Sequence, residues 1–495
     1  MFCDTARMNT SDTKELLNEI SIMRQLDHPN IIQLFEVYST KRKMWLITEL
    51  CYGGDLFSRQ LNETSTAVVM EQILQALTYM HSIGVCHRDL KLESKFRNCP
   101  NSIQCSTSHI NHCFFTINLL DVMYETPESN SGIKLIDFGL SQRFHAGINM
   151  RKVCGTVYTV APEIIECDLQ TNKSGYSEKS DIFSVGCMAY ILLSTDYPFL
   201  KNPSEIRVEA KLKKLLNAEY TMSVRWDIRK ISGEAREFIA GTLQKDPNKR
   251  WSAAEALQFL DATWIPALEE RLLSEEGSFP DAQAHAQVLE NASVVKKRRN
   301  RVKMHSTAFR GMENYAGFGM MKKTVLIAMA KTMDKSMLSE LKDLFLTIDS
   351  DNTGTISMQD FKDACTTYFE GRDFASDENV EAVFRAIDAH NSGEIHYNEF
   401  LAALAESQGL ITLERLQDAF DRIDAEGKGY ISKGDLRSIL GTDANEEVIN
   451  QMIRETGSED DRIDYDKFLA LMFKDPTQGS MLVDHFTNSF TSNRK

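Results

Sequence analysis

The chain has 495 residues, with 71 Asp and Glu against 56 Lys and Arg, and a formal net charge of -15. That length exceeds what one core serves and predicts roughly two to four domains, while the acidic balance excludes a general nucleic-acid binder. Ten cysteines without a Cys-x-x-Cys spacing read as free cytosolic thiols, and no apolar run of about 18 residues would span a bilayer. Met1-Phe2-Cys3-Asp4 offers neither the glycine that myristoylation needs nor a signal-peptide core, so a soluble, cytoplasmic protein is predicted, with peripheral membrane association left open.

Residues 12–27 place Leu16, Leu17, Ile20, Met23 and Leu26 at helical spacing, and His28-Pro29-Asn30 stops that helix ahead of two predicted strands, 31–38 and 44–48. Helices are predicted over 67–83, 179–194 and 234–243. The stretch 97–131 is rich in Cys, Asn, Ser and Thr and has no period, so it reads as an insertion, either a surface loop or translated intron sequence, with no function assigned. Residues 265–290 are polar linker. Residues 291–333 are basic, then Met-rich, with long helical potential: Lys296-Lys297-Arg298-Arg299 precede Met304, Met312, Met320, Met321, Met329 and Met333. An internal repeat follows, because Phe345/Asp349, Phe384/Asp388 and Phe420/Asp424 share one offset and Phe361, Phe400, Leu436 and Phe468 each follow a loop.

Within the first part run His87-Arg88-Asp89-Leu90-Lys91, Asp137-Phe138-Gly139 and Ala161-Pro162-Glu163, an order and spacing that form a phosphoryl-transfer signature. That chemistry needs a carboxylate to orient the attacking hydroxyl, a cation on the transferred phosphate and a carboxylate that fixes magnesium. Asp89, Lys91 and Asp137 fit those roles. The motifs resemble a protein kinase. The resemblance implies an α+β two-lobe kinase fold over 1–264, with an incomplete small lobe, and ATP and Mg2+ as cofactors. It pairs Glu163 with Arg250, anchors the catalytic loop on Asp181 and sets Thr156 among the catalytic residues. It also implies base contacts from the Glu49 and Cys51 backbone behind Thr48, a ribose contact from Asp55, and Ser or Thr as acceptor.

Two departures accompany these matches. Glu19 resembles the small-lobe glutamate, yet its lysine partner and the Gly-rich phosphate loop would fall before Met1, as in an N-terminally truncated kinase. Ser94 stands where the family places an asparagine for the second magnesium, and serine is the less reliable ligand. The chain as written is therefore expected to turn over poorly, and a catalytically dead pseudokinase acting as a calcium-responsive scaffold is the alternative reading. No Ser, Thr or Tyr lies between Gln142 and Val153, so an added phosphate there is not the switch.

The repeats read as an all-α EF-hand domain, with pairs at 334–403 and 404–475 and a tail at 476–495. An EF-hand loop presents oxygens at positions 1, 3, 5, 7 and 9, turns on glycine at 6 and closes with a carboxylate at 12. Loop 1 supplies Asp349, Asp351, Thr353, Thr355 through its carbonyl, Ser357 and Asp360. Loop 2 supplies Asp388, His390, Ser392, Glu394 through its carbonyl and Glu399, with His390 a poor ligand for a hard cation. Loop 3 supplies Asp424, Glu426 and Asp435, but Lys428 opposes metal entry. Loop 4 runs from Thr456 to Lys467, lacks its first and last carboxylates and reads as structural, with Ile463 pairing with Ile431.

Kinase motifs, a basic junction and four EF-hand units in this order resemble the calcium-dependent protein kinases of plants and apicomplexan parasites. That resemblance implies a signalling enzyme in which a junction helix within 265–333 obstructs the substrate face at low calcium. Ca2+ would let the EF-hand domain grip that helix and free phosphorylation of protein substrates, with no nucleic-acid partner.

Overall fold

The computed structural model describes residues 2–3, 8, 10–40, 42–59, 61–90, 121–128, 131–145, 148–156, 159–169, 171–172, 174–199, 216–217, 220, 223–275, 306–333, 338–368, 377–440, 446–458 and 460–473. They fall into two compact units, the first formed by Met1–Arg301 together with Asp351–Thr355 and the second by Val302–Ser350 and Ile356–Lys495. Lys91, Ser94, the basic run at 296–299, Met304 and the tail at 476–495 lie outside the described residues. Among the described residues no helix is long and apolar enough to cross a membrane.

In the first unit, β1 (Phe2–Cys3), β2 (Leu34–Ser39) and β3 (Met44–Thr48) form an antiparallel sheet in the order β1-β3-β2. The pairing of Phe2 with Trp45 adds a strand that two residues are too few to announce in the sequence. Helix α1 (Thr10–Met23) buries Leu16, Ile20 and Met23. It stops short of residue 27 because the amides of Gln25 and Leu26 both turn back onto the Ile22 carbonyl ahead of His28-Pro29. Helix α2 (Glu63–Ser82) begins before the predicted residue 67, since the Asn62 side chain accepts from the Ser65 amide at 2.8 Å and caps it.

Strand β4 (Val85–Cys86) precedes β5 (Val122–Tyr124) and β6 (Ile133–Leu135), which pair with each other, while β4 pairs with β7 (Gln142–Arg143). The β5–β6 hairpin corrects the insertion expected over 97–131. Residues 122–124 belong to a ladder whose far strand hydrogen-bonds Asn30 and Ile32, so that end is framework. Helix α3 (Pro162–Asp168) starts on a proline, where the missing amide costs nothing. Helix α4 (Lys179–Ser194) is buried from Ser180 to Ser194, and a helix apolar all round belongs in the middle of a core. On it pack α5 (Val224–Ile228) and α6 (Gly233–Thr242), while α7 (Ala253–Phe259), a π turn at Leu260–Trp264 and α8 (Ile265–Glu275) pack on α2.

The second unit opens with the Met-rich segment. Where one long helix is expected, α9 (Ser306–Ala316) and α10 (Met320–Ala330) are divided at Gly317-Phe318-Gly319, with Gly319 in extended backbone as the cap of α10. Both turn their apolar faces into the unit's core, burying Phe309, Met312, Tyr315, Met321, Leu326 and Met329. The repeat supplies α11 (Ser339–Ile348), α12 (Met358–Tyr368), α13 (Asp377–Ile387) and α14 (Tyr397–Ala405), then α15 (Leu413–Ile423), α16 (Lys433–Leu440), α17 (Glu446–Glu455) and α18 (Tyr465–Met472). Short ladders join the loops in pairs: β8 (Ile356–Ser357) with β9 (Glu394–Ile395), and β10 (Tyr430–Ser432) with β11 (Arg462–Asp464). Ile356 faces Ile395 and Ile431 faces Ile463, all four fully buried, as position 8 of each loop requires. Position 6 has positive φ in all four loops, at Gly354, Gly393, Gly429 and Asp461.

Candidate active site and cation loops

The loop after β4 is shaped by one carboxylate buried in α4. Asp181 accepts from the amides of His87 at 2.9 Å and Arg88 at 2.7 Å, and from His81 Nε2 at 2.9 Å. Burial pushes the Asp181 carboxyl up, but those donors outweigh it and hold the group below its usual range, so it stays ionised. This clasp holds Arg88 at φ 72°, an unusual conformation for a residue with a side chain. Asp89 follows directly and accepts from the Thr156 hydroxyl at 2.8 Å. Thr156 reaches it because Gly155, at φ 117°, passes so near the Arg88 carbonyl that a Cβ would sit 3.1 Å from it. Thr159 donates to the Leu90 carbonyl at 2.9 Å, locking the same two segments again.

Arg88 spends its guanidinium inside the chain, on the Leu140 carbonyl and Gln142 Oε1, both at 2.6 Å, and on the Tyr176 hydroxyl at 3.4 Å. Gln142 and Tyr176 gave no signal in the sequence. Glu163 and Arg250 form the expected pair, bidentate at 2.6 and 3.0 Å and almost fully buried, with Arg250 Nε on the Gln244 carbonyl.

Asp137 takes the Gly139 amide on Oδ1 at 3.1 Å, and Phe138 is buried with its ring 5.4 Å from that of His87. Glu19 projects from α1 toward the same spot. Burial and then the Asp137 charge raise its carboxyl to about 7, and among the described residues no cationic side chain pairs with it. Helix α1 is fixed there by Asn18, whose side chain donates to the Ser141 carbonyl at 3.0 Å.

On the side expected to meet the base, the Glu49 amide donates to the Gln33 carbonyl at 2.9 Å and so is not available to a base. The Glu49 carboxylate is buried 3.4 Å from Lys134, a contact between distant segments that spacing does not reveal. Asp55 carries a buried Oδ1 without a hydrogen-bond partner among the described residues, an acceptor that a ribose hydroxyl would satisfy. With the remaining capacity of Asp137 for a hard cation, these residues fit a magnesium nucleotide. Lys91 and Ser94, two further expected contacts, are outside the described residues.

In the second unit, among the described residues, no three acidic, His or Cys side chains are gathered as a metal cage. Loops 1 and 2 instead hold their closing carboxylates on their own donors. Asp360 accepts from the amides of Ser350 at 3.3 Å and Ser357 at 3.1 Å. Glu399 accepts from the amides of Ala389 and His396, both at 2.9 Å, and from His390 Nδ1 at 2.6 Å. His390 therefore lies on the closing carboxylate, and the Asp388 oxygens take the amides of Ser392 and Gly393. The donor sets, with Asp349 and Asp351 in the first loop and Asp388 and Glu399 in the second, fit calcium.

Loop 3 differs. Lys428 Nζ lies 2.8 Å from Asp435, 3.1 Å from Glu426 and 3.4 Å from Asp424, the three side chains expected to meet metal. In loop 4, Lys467 Nζ lies 3.3 Å from Ser458 Oγ, 3.4 Å from Asp460 and 3.6 Å from Asp464.

Known proteins agree with this arrangement. The protein kinase domain family matches residues 3–264, an EF-hand domain pair matches 338–405 and a further EF hand matches 416–440. Calcium-dependent protein kinase 17 of Arabidopsis thaliana is 29% identical over 476 residues, which cover 94% of this chain and 76% of that protein. Calcium-dependent protein kinase 34 of the same plant is 29% identical, over 94% of this chain and 77% of its own length. Calcium-dependent protein kinase 11 of Oryza sativa subsp. japonica is 27% identical, over 98% and 73%. These relatives are plant proteins and lend no support to the apicomplexan half of the expected resemblance.

Proposed function

The chain belongs to the protein kinase family, and from that premise we propose that it is a calcium-regulated serine/threonine kinase that moves the ATP γ-phosphate to protein hydroxyls. The observation that carries the reading is the clasp of Asp181 on the His87 and Arg88 amides, which presents Asp89 to the Thr156 hydroxyl. Asp89 orients the acceptor hydroxyl and takes its proton, while Thr156 fixes the Asp89 rotamer. Asp137 would hold magnesium, which when bound neutralises charge on the phosphate oxygens. Asp55 would receive the ribose, and Lys91 is the sequence's candidate for the cation on the transferred phosphate. Glu163 and Arg250 keep the segment carrying Thr156 docked.

Control belongs to the second unit. Arg88 is already satisfied within the chain, which supports a switch other than phosphorylation of that segment. Helices α9 and α10 are seated in the EF-hand core, which supports the reading that calcium-loaded loops grip this junction and withdraw it from the substrate face.

The test uses the full chain with magnesium-ATP and peptides bearing Ser, Thr or Tyr, with and without calcium. Calcium should raise phosphate incorporation on Ser or Thr, and Asp137→Ala should abolish it. Calcium-dependent capture of partners without nucleotide binding or transfer would overturn the enzyme reading in favour of a scaffold.

A further inference from the structure

The two EF-hand pairs differ in where their positive charge comes from. In loop 3 the lysine is residue 5 of the loop, and its ammonium contacts the carboxylates at positions 1, 3 and 12. In loop 4 the lysine is residue 12, and its ammonium reaches side chains at positions 3, 5 and 9. Two lysines at different loop positions thus send Nζ to the place a calcium ion takes, each among the oxygens that would ligate it. The Lys428 side chain is 20% exposed, with Asp424 buried at 3% and Glu426 open at 76%, so the loop-3 cation is covered on the Asp424 side and faces water on the Glu426 side. The ladder between β10 and β11 and the Ile431–Ile463 contact are formed with these ammonium groups in place.

What this second pair holds is also visible. Glu455, the last residue of α17, accepts from the amides of Met320 at 3.1 Å and Met321 at 2.9 Å, capping the start of α10 with a carboxylate. Helix α10 packs chiefly on α14 of the first pair, and also on α15 and α17 of the second. Helix α9 packs instead on α13 and α14 of the first pair, with Asn379 donating to Glu313 at 3.1 Å.

We propose that the second EF-hand pair is a calcium-independent clamp: Lys428 and Lys467 supply the cations of loops 3 and 4, and Glu455 anchors α10 at all calcium levels. Calcium sensing is then left to loops 1 and 2, whose helices hold α9. This deepens the calcium-regulated reading above and rests on it only for its consequence, since ion counts do not depend on phosphate transfer.

Calcium bound per full-length chain is measured by flow dialysis in magnesium buffer. Asp424→Asn should leave the wild-type count unchanged, and Lys428→Asn, which completes an ordinary loop 3, should add one ion. A count that falls in Asp424→Asn, or that fails to rise in Lys428→Asn, overturns the proposal. Hydrogen exchange gives a second reading that needs no variant. The Met320 and Met321 amides should be protected in chelator, and unprotected exchange there would contradict the anchor. A chain that transfers no phosphate at any calcium would sink the function proposed above and leave these results as they are.

Discussion

The first unit answers its buried charges from within the chain, whereas the second leaves half of its loop carboxylates waiting for a partner from solution. Asp181 and Glu163 have their donors in His81, the loop amides and Arg250. Among the described residues, Asp360 and Glu399 are met by loop amides, hydroxyls and His390 but by no lysine or arginine, while Lys428 and Lys467 place an ammonium within loops 3 and 4. The same side chain is therefore framework or sensor according to whether its counter-charge is encoded in the chain. Glu19, Asp137 and the buried Asp55 Oδ1 are exceptions within the first unit, carboxyl groups without a cationic partner among the described residues where cations and nucleotide are expected.

The comparison can be broken at several points. Asp89→Asn should lower phosphate transfer by about 10²–10⁴-fold, the range of general-base loss. It should leave the tryptophan fluorescence of the folded chain unchanged, and a matching loss of structure would make Asp89 framework like Asp181. All four tryptophans, Trp45, Trp226, Trp251 and Trp264, lie in the first unit, so their fluorescence reads that unit alone.

Arg250→Ala should cost about 3–5 kcal/mol in a denaturant titration followed this way, because Glu163 is left as a buried unpaired charge. A cost under about 1 kcal/mol, the value of an exposed pair, would remove Glu163 from the internally answered class.

Glu19→Gln sharpens the comparison through pH. The folded carboxyl titrates at about 7 against an ordinary 4.5, so between those values the folded chain holds a proton that the unfolded chain has lost. Its contribution is full below about 4.5 and is lost as pH rises through about 7. Wild type and Glu19→Gln should therefore match near pH 4, and the variant should gain up to about 3 kcal/mol by pH 8. A constant gap would mean that a partner already answers Glu19.

Much of this was legible before any coordinates. The order of Asp89, Asp137 and Glu163 and the isoleucine pairing of the loops follow from fixed spacing, which a chain displays directly, and the Glu163–Arg250 pair follows from the family resemblance. The break at Gly317-Phe318-Gly319, the hairpin at 122–135 and the Glu455 cap were hidden, because each depends on what a distant segment brings. Lys428 shows the boundary well. Its position declared it hostile to metal, but only the fold shows its ammonium among three carboxylates, with Lys467 making a corresponding approach in the next loop.

The most direct test of calcium control is phosphate incorporation by the full chain as free calcium is raised, in wild type and in Asp360→Asn/Glu399→Gln. The account predicts a rise in wild type and a flat, low rate in the double variant, since only loops 1 and 2 await calcium. A wild-type rate indifferent to calcium, or a double variant that responds as wild type does, would contradict it.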